Sequence, residues 1–235
     1  MKLLGISGSP IKNSNLDRLI RIILDASGLE SDFVKLSRFH IRPCLACLKC
    51  AGTNRCVQKD LWPRIETKML EAQALVVGGY TTYNTLDAWT KTLFERMFSF
   101  RHRKNILKGK VGVAVGMGYK CEELGYEGPP TGEVGAKYIQ AVLEGFGIQV
   151  IGSVAARGNP PCLSCGYGET CDYSNVIRIW GKDARVTEDK YNRIEDQHDV
   201  VAQAAVLGKQ LQAFLKRDAG HENETSGDIM GEGTK

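Results

Sequence analysis

Residues 2–16 read Lys2-Leu3-Leu4-Gly5-Ile6-Ser7-Gly8-Ser9-Pro10-Ile11-Lys12-Asn13-Ser14-Asn15-Leu16. A short apolar run, KLLGI, breaks into a turn rich in Ser and Gly. A helical pattern follows, with Leu16, Leu19, Ile20, Ile23 and Leu24 on one face and Asn13, Ser14 and Asn15 as candidate N-caps. That is the opening strand, turn and helix of a wound α/β domain. Further strands are expected at 32–36 (DFVKL), 74–78 (ALVVG), 110–116 (KVGVAVG) and 148–155 (IQVIGSVA). Helices are expected at 58–72, 86–100, 134–146 and 195–216. Strands alternating with amphipathic helices imply a parallel sheet covered on both faces. Five strands fit the flavodoxin-like doubly wound order. The fold class is therefore α/β, with a cysteine-rich loop at 40–57 after strand two and a cysteine-containing insertion at 157–194 after strand five. The domain spans 1–217, and the polar, Gly-rich residues 218–235 read as a mobile tail or an arm on a partner chain.

The chain has 235 residues, 43% hydrophobic and 25% charged, enough for one domain with an elaboration. A net charge of +4 argues for neither a nucleic-acid nor a membrane partner. The opening residues carry no leader-like pattern, and no run approaches the ~18–20 apolar residues of a membrane span. The expected location is cytoplasmic. In a reducing compartment, eight clustered cysteines point to metal or redox chemistry before structural disulfides.

The first turn is neither a Walker loop nor G-x-G-x-x-G, which weakens the nucleoside-triphosphate and dinucleotide readings. Backbone N–H groups and hydroxyls at a helix N-terminus still suit a phosphate monoester. The competing reading is a capped helix start and nothing more. Met117 reads equally as core filler, and Tyr83 and Trp89 as packed aromatics.

Cys44-x2-Cys47-x2-Cys50-x5-Cys56 is the strongest signal. Three thiolates at two-residue gaps converge on one cluster as the chain curls, with the fourth supplied from further on, as in ferredoxin-type sites. Zinc, which usually takes two separated pairs, fits this spacing less well than a 4Fe-4S cluster.

These features together resemble the NADPH-dependent FMN reductase and iron–sulfur flavoprotein families, over roughly residues 1–155. The resemblance rests on ISGSP-x-KNSN, the compact cysteine set, and the helix end Lys91…Glu95-Arg96. It implies FMN, with Ser7, Ser9, Pro10, Ser14, Asn15 and Leu16 lining the phosphate. It also implies that Thr81, Thr82, Tyr83, Asn84 and Thr85 hold the ring edge and ribityl chain. In the loop at 78–85, Tyr80 stands where those families usually have Pro, and Thr82 where they have Tyr. A third flavin-facing loop would start at Gly116, Met117 and Gly118. The resemblance further implies a homodimer or homotetramer and electron transfer between cluster and flavin.

Cys162-x2-Cys165-x5-Cys171 repeats the spacing of Cys47, Cys50 and Cys56, and CLSCGYGETC echoes CLKCAGTNRC. With Cys121 these cysteines are read as a possible second site, a cluster or a zinc; free buried thiols are the alternative. The basic run Arg96, Arg101, His102, Arg103, Lys104, Lys108 and Lys110 is a candidate face for an acidic, ferredoxin-like carrier, or a solvated helix end. No Ser-His-Asp arrangement or carboxylate pair stands out, so no classical catalytic residue is named. The expected function is an FMN- and 4Fe-4S-containing electron-transfer oxidoreductase. The rivals are an NAD(P)H-dependent flavin or quinone reductase with zinc-bound or free cysteines, and a redox sensor without turnover.

Overall fold

The computed structural model describes residues 1–119, 125 and 127–227. Five parallel strands form the central sheet: β1 (Lys2–Ser7), β2 (Glu30–Lys35), β3 (Ala74–Thr82), β5 (Val111–Gly118) and β6 (Gln149–Arg157). Their spatial order is β2-β1-β3-β5-β6, the doubly wound order with its switch between β1 and β3. A two-residue strand, β4 (Thr85–Leu86), pairs antiparallel with the end of β3.

The helices divide between the two faces. On one face α1 (Asn15–Ser27) and α6 (His198–Gly227) cover a core that includes Leu3, Leu19, Ile23, Val76, Val113, Leu207 and Leu211. On the other, α2 (Trp62–Glu71), α3 (Ala88–Met97) and α4 (Thr131–Gly145) enclose Ile6, Trp62, Ile65, Val77, Phe100, Ile139 and Leu143. Central strands buried on both sides read as the continuous apolar runs seen in β3 and β5.

Local chemistry explains the helix starts. Ser14 caps α1 by accepting the Asp17 N–H while Asp17 reaches back to the Ser14 N–H, a capping box. Asp87 caps α3 by accepting the Thr90 N–H at 2.8 Å.

The structure departs from the sequence reading in three places. The loop expected at 79–85 is a hairpin, because Tyr83 and Asn84 both take positive φ (50° and 60°) and turn the chain in two residues. The strand expected to end at Gly116 runs to Gly118. The last helix continues to Gly227, so the first ten residues of the expected polar tail are helical; residues 228–235 lie outside the described residues. The insertion after β6 holds one short α-helix, labelled α5 (Asn175–Trp180), two 3-10 turns and irregular chain. Among the described residues no helix is long and apolar enough to cross a membrane.

Candidate functional site at the carboxyl edge of the sheet

The turn after β1 begins with Gly8, whose N–H donates to the Gly78 carbonyl at 2.9 Å. A Cβ at Gly8 would lie 2.0 Å from the Thr90 hydroxyl and 2.7 Å from the Asp87 carboxylate, so the loop is pressed onto the start of α3. Beyond it, Ser9 accepts the Ile11 N–H at 3.3 Å, and the first turn of α1 presents the N–H groups of Asn15 and Leu16, which lack intrahelical partners. This matches a phosphate monoester's need for backbone donors.

The expected phosphate residues do not all face outward. Ser7 is buried, and its hydroxyl donates to Asp17 at 2.6 Å. The Asn15 amide donates to the Asn192 carbonyl in the insertion at 2.5 Å. The Leu16 side chain is core, leaving only its backbone for a ligand. Ser9 is buried within its own turn, while Pro10 is exposed.

Sequence reasoning missed two buried carboxylates here. Asp17 would oppose an anion, but Lys35 from the end of β2 reaches it at 2.5 Å and also donates to the Ile11 carbonyl at 2.6 Å. Lys35 thus neutralises Asp17 and ties the turn to the sheet. Only the pattern of one Lys among strand residues hinted at it. The other is Asp87, fully buried. Burial pushes its carboxyl up, while donation from the Thr90 N–H, the Thr90 hydroxyl (2.8 Å) and the Tyr80 N–H (3.1 Å) counters that.

On the second loop, Thr81 is buried and donates to Thr131 at 2.8 Å, whereas Thr82, Tyr83, Asn84 and Thr85 stand in solvent. Tyr83 is 97% exposed at the hairpin tip, the place from which a ring could cover a flavin. Trp89 is half-buried against the core. Gly116, Met117 and Gly118 lie inside β5. A Cβ at Gly116 would meet the Gly132 carbonyl at 1.8 Å, so this glycine lets α4 approach the strand. Met117 packs in the core below α1. The chain leaves the sheet only at Tyr119, whose phenol is pushed up by burial and by the nearby Cys162 thiol.

The first cysteine loop has a closed neck. Leu61 N–H donates to the His40 carbonyl (3.3 Å), the Gln58 amide to the Pro43 carbonyl (3.0 Å), and Arg42 N–H to Asp60 (3.0 Å). Arg96 fastens it. Its guanidinium is fully buried, pairs with Asp60 at 2.5 Å, donates to the Arg42 carbonyl at 2.9 Å, lies over the Trp62 ring and faces Cys56. Burial alone would raise the Asp60 carboxyl, yet Arg96 and the Arg42 and Trp62 N–H groups hold it below the usual range. Two residues of the expected basic docking run are therefore not surface charges. Arg96 is buried, and Lys110 donates to the Leu70 and Ala72 carbonyls at the base of the sheet.

Above the neck the chain coils through positive φ at Ala46, Leu48 and Asn54. Asn54 and Thr53 N–H groups both turn back to the Cys50 carbonyl. Cys44, Cys50 and Cys56 are partly buried and Cys47 is exposed; all four are free thiols. Burial pushes the Cys50 thiol up, and Cys56, Cys44 and Cys47 each add to that, which places those three within electrostatic reach of Cys50. Cys44 Sγ accepts the Ala46 N–H at 3.4 Å. Among the described residues, no three His, Cys, Asp or Glu side chains already converge as a finished ligand set. Soft thiolates on a coiled loop suit iron–sulfur or zinc, with final closure coupled to binding. Cys162, Cys165 and Cys171 are also free, in the insertion; Cys121 lies outside the described residues.

Comparison with known proteins agrees with this layout. Over 210 residues, 88% of this chain and 90% of the relative, the sequence is 29% identical to an iron–sulfur flavoprotein of Archaeoglobus fulgidus. Over 121 residues, 50% of this chain but only 63% of the relative, it is 36% identical to an iron–sulfur flavoprotein of Methanosarcina thermophila. The fold is similar to an azoreductase from Bacillus anthracis (TM-score 0.56, 14% identity, 89% of this chain and 99% of that one). It is similar also to the Trp repressor binding protein of Bacillus subtilis (TM-score 0.54, 16% identity, 87% and 98%). Residues 1–123 match the family model for NADPH-dependent FMN reductase. With a Ser- and Gly-rich turn at the switch point and the wound sheet beneath it, this chain belongs to the NADPH-dependent FMN reductase family and is an oxidoreductase of flavin-based redox chemistry.

Proposed function

We propose that the chain transfers electrons between a low-potential, ferredoxin-like donor and an acceptor, using FMN at the turn after β1 and a 4Fe-4S cluster on Cys44, Cys47, Cys50 and Cys56. The observation that supports this reading is the hydrogen-bonded neck that carries four free cysteines on one short loop. When bound, FMN exchanges one or two electrons and a cluster exchanges one, so together they suit partners of either kind.

The chain's own residues hold and orient. The backbone N–H groups of Asn15 and Leu16 receive the phosphate, and Lys35 keeps Asp17 from repelling it. Tyr83 and its hairpin shield the ring edge. Arg96, tied to Asp60 and facing Cys56, is a positioning residue that sets a fixed positive charge beside that sulfur. The exposed Leu45, Leu48 and Val57 around the loop support assembly as a homodimer or homotetramer, in which a second copy covers them.

Anaerobic purification with iron, sulfide and FMN counted per chain tests the reading. About four irons and four sulfides with FMN are expected, and Cys50→Ala should lose the iron while keeping the flavin. Iron-free, flavin-loaded protein that oxidises NADPH rapidly would replace it with a simple flavin reductase.

A further inference from the structure

The insertion between β6 and α6 poses a problem of its own. Residues 158–194 bury only Leu163, Val176 and Ile194 among their Leu, Ile and Val side chains. The lone helix there, α5, has six residues. A segment with so little core gains most from a covalent or metal staple. There is no disulfide: Cys162, Cys165 and Cys171 are free thiols.

The three sulfurs do not converge as a finished ligand set, but the backbone folds back on each stretch that carries them. Gly166 takes φ +82°, which lets the Tyr167 N–H fold back onto Cys165 Sγ at 3.4 Å. The Asn175 N–H donates to Cys162 Sγ, also at 3.4 Å. A Cβ at Gly168 would sit 2.2 Å from the Cys162 carbonyl, so the chain doubles back on its own first cysteine. The Tyr167 carbonyl accepts from Thr170 and Cys171 N–H groups, bringing Cys171 round again. Ser174 closes the coil by donating to the Gly168 carbonyl and accepting the Val176 N–H. N–H donors aimed at sulfur are the contacts that surround a metal-ligating cysteine.

We propose that Cys162, Cys165 and Cys171 hold a second soft-metal centre, separate from the first loop, whose work is to fold the insertion. Three thiolates leave one position of a tetrahedral ion for a further donor or water. The shared chemistry is thiolate ligation, met by zinc or by an iron–sulfur cluster. The site stands on other residues than the proposed flavin-linked cluster and survives the failure of that reading.

The test uses the full chain, purified without oxygen. Differential alkylation with iodoacetamide, mapped by peptide mass spectrometry before and after a strong chelator, reads each thiol. Cys165 is exposed and would react at once if free. Protection of Cys162, Cys165 and Cys171 that chelation removes, with alkylation rising roughly tenfold or more, is expected. Equal reactivity of the three before and after chelation overturns the proposal.

Metal counting gives a second readout. A Cys44→Ser/Cys50→Ser chain should retain metal that the further Cys162→Ser/Cys165→Ser exchange removes. Zinc without sulfide marks a zinc site, and iron with sulfide marks a second cluster. A Cys44→Ser/Cys50→Ser chain without any bound metal, still folded by circular dichroism, also overturns it. Where a variant fails to fold, the alkylation map of the unmodified chain decides.

Discussion

The two cysteine loops share a spacing and differ in what holds them. The first is set on the main core: a neck of three hydrogen-bonded pairs, a buried Arg96–Asp60 pair and the buried Trp62 fix its base. The second lies on a coil of local bonds over three buried aliphatic side chains, tied to the main domain at its return end through Asn192. The shared cysteine spacing thus sits on a buried ionic seat in one case and on local turns in the other. On the proposed reading, metal in the first loop would serve chemistry and metal in the second would stabilise its own fold.

The largest expected effect tests the seat. Arg96→Met leaves Asp60 buried without its partner and should cost about 3–5 kcal/mol in denaturant unfolding. Replacing both with apolar residues should recover much of that loss. If the single exchange is mild, the first loop is no better seated than the second, and the contrast fails.

Chelation tests the other side. Treated with a strong chelator, the native chain should show protease cleavage within 158–194 rising roughly tenfold, while cuts elsewhere stay rare. Cleavage spread evenly along the chain would show that the insertion is not a separate folding unit.

A smaller effect concerns the turn between the loops. Gly8→Ala pushes against Thr90 and Asp87 and should cost about 1–3 kcal/mol, with weaker FMN binding in a fluorescence titration. Acid distinguishes the loops again. Asp60 is held below its usual range, so its contribution is present above its unfolded value of about 3.9 and disappears as pH falls through the lower folded value. Trp62 fluorescence should therefore stay level down to about pH 4 and change only below it.

The smallest effect is at the hairpin. Tyr83 carries a bulky side chain at positive φ and buries almost nothing, so Tyr83→Asn should raise stability by up to about 1 kcal/mol. If Tyr83 covers the flavin, the same exchange should weaken FMN binding, and the two measurements move in opposite directions.

Much of this architecture was legible in residue patterns. Apolar runs such as ALVVG and KVGVAVG announced buried parallel strands, and the cysteine spacing announced both loops. What escaped is long-range. Asp17 and Lys35 are 18 residues apart, and Asp60 and Arg96 are 36 apart; neither pair follows from local sequence. Arg96 read as part of a surface run because charge alone says nothing about burial. Gly116 and Gly118 read as ligand loop because close helix packing and close ligand approach ask for the same residue. The hairpin was hidden because Tyr83 is a poor turn former, and only its Asn84 neighbour carries the usual signal.

The return end of the insertion has a consequence of its own. The Asn192 carbonyl holds the Asn15 amide, and Glu195 holds Arg18 at 2.9 Å, so the segment that leads into α6 grips the first turn of α1, the proposed phosphate site. A clasp of that kind couples two occupancies. Whatever factor metal in the insertion applies to the grip on flavin, flavin must apply in return to the grip on metal.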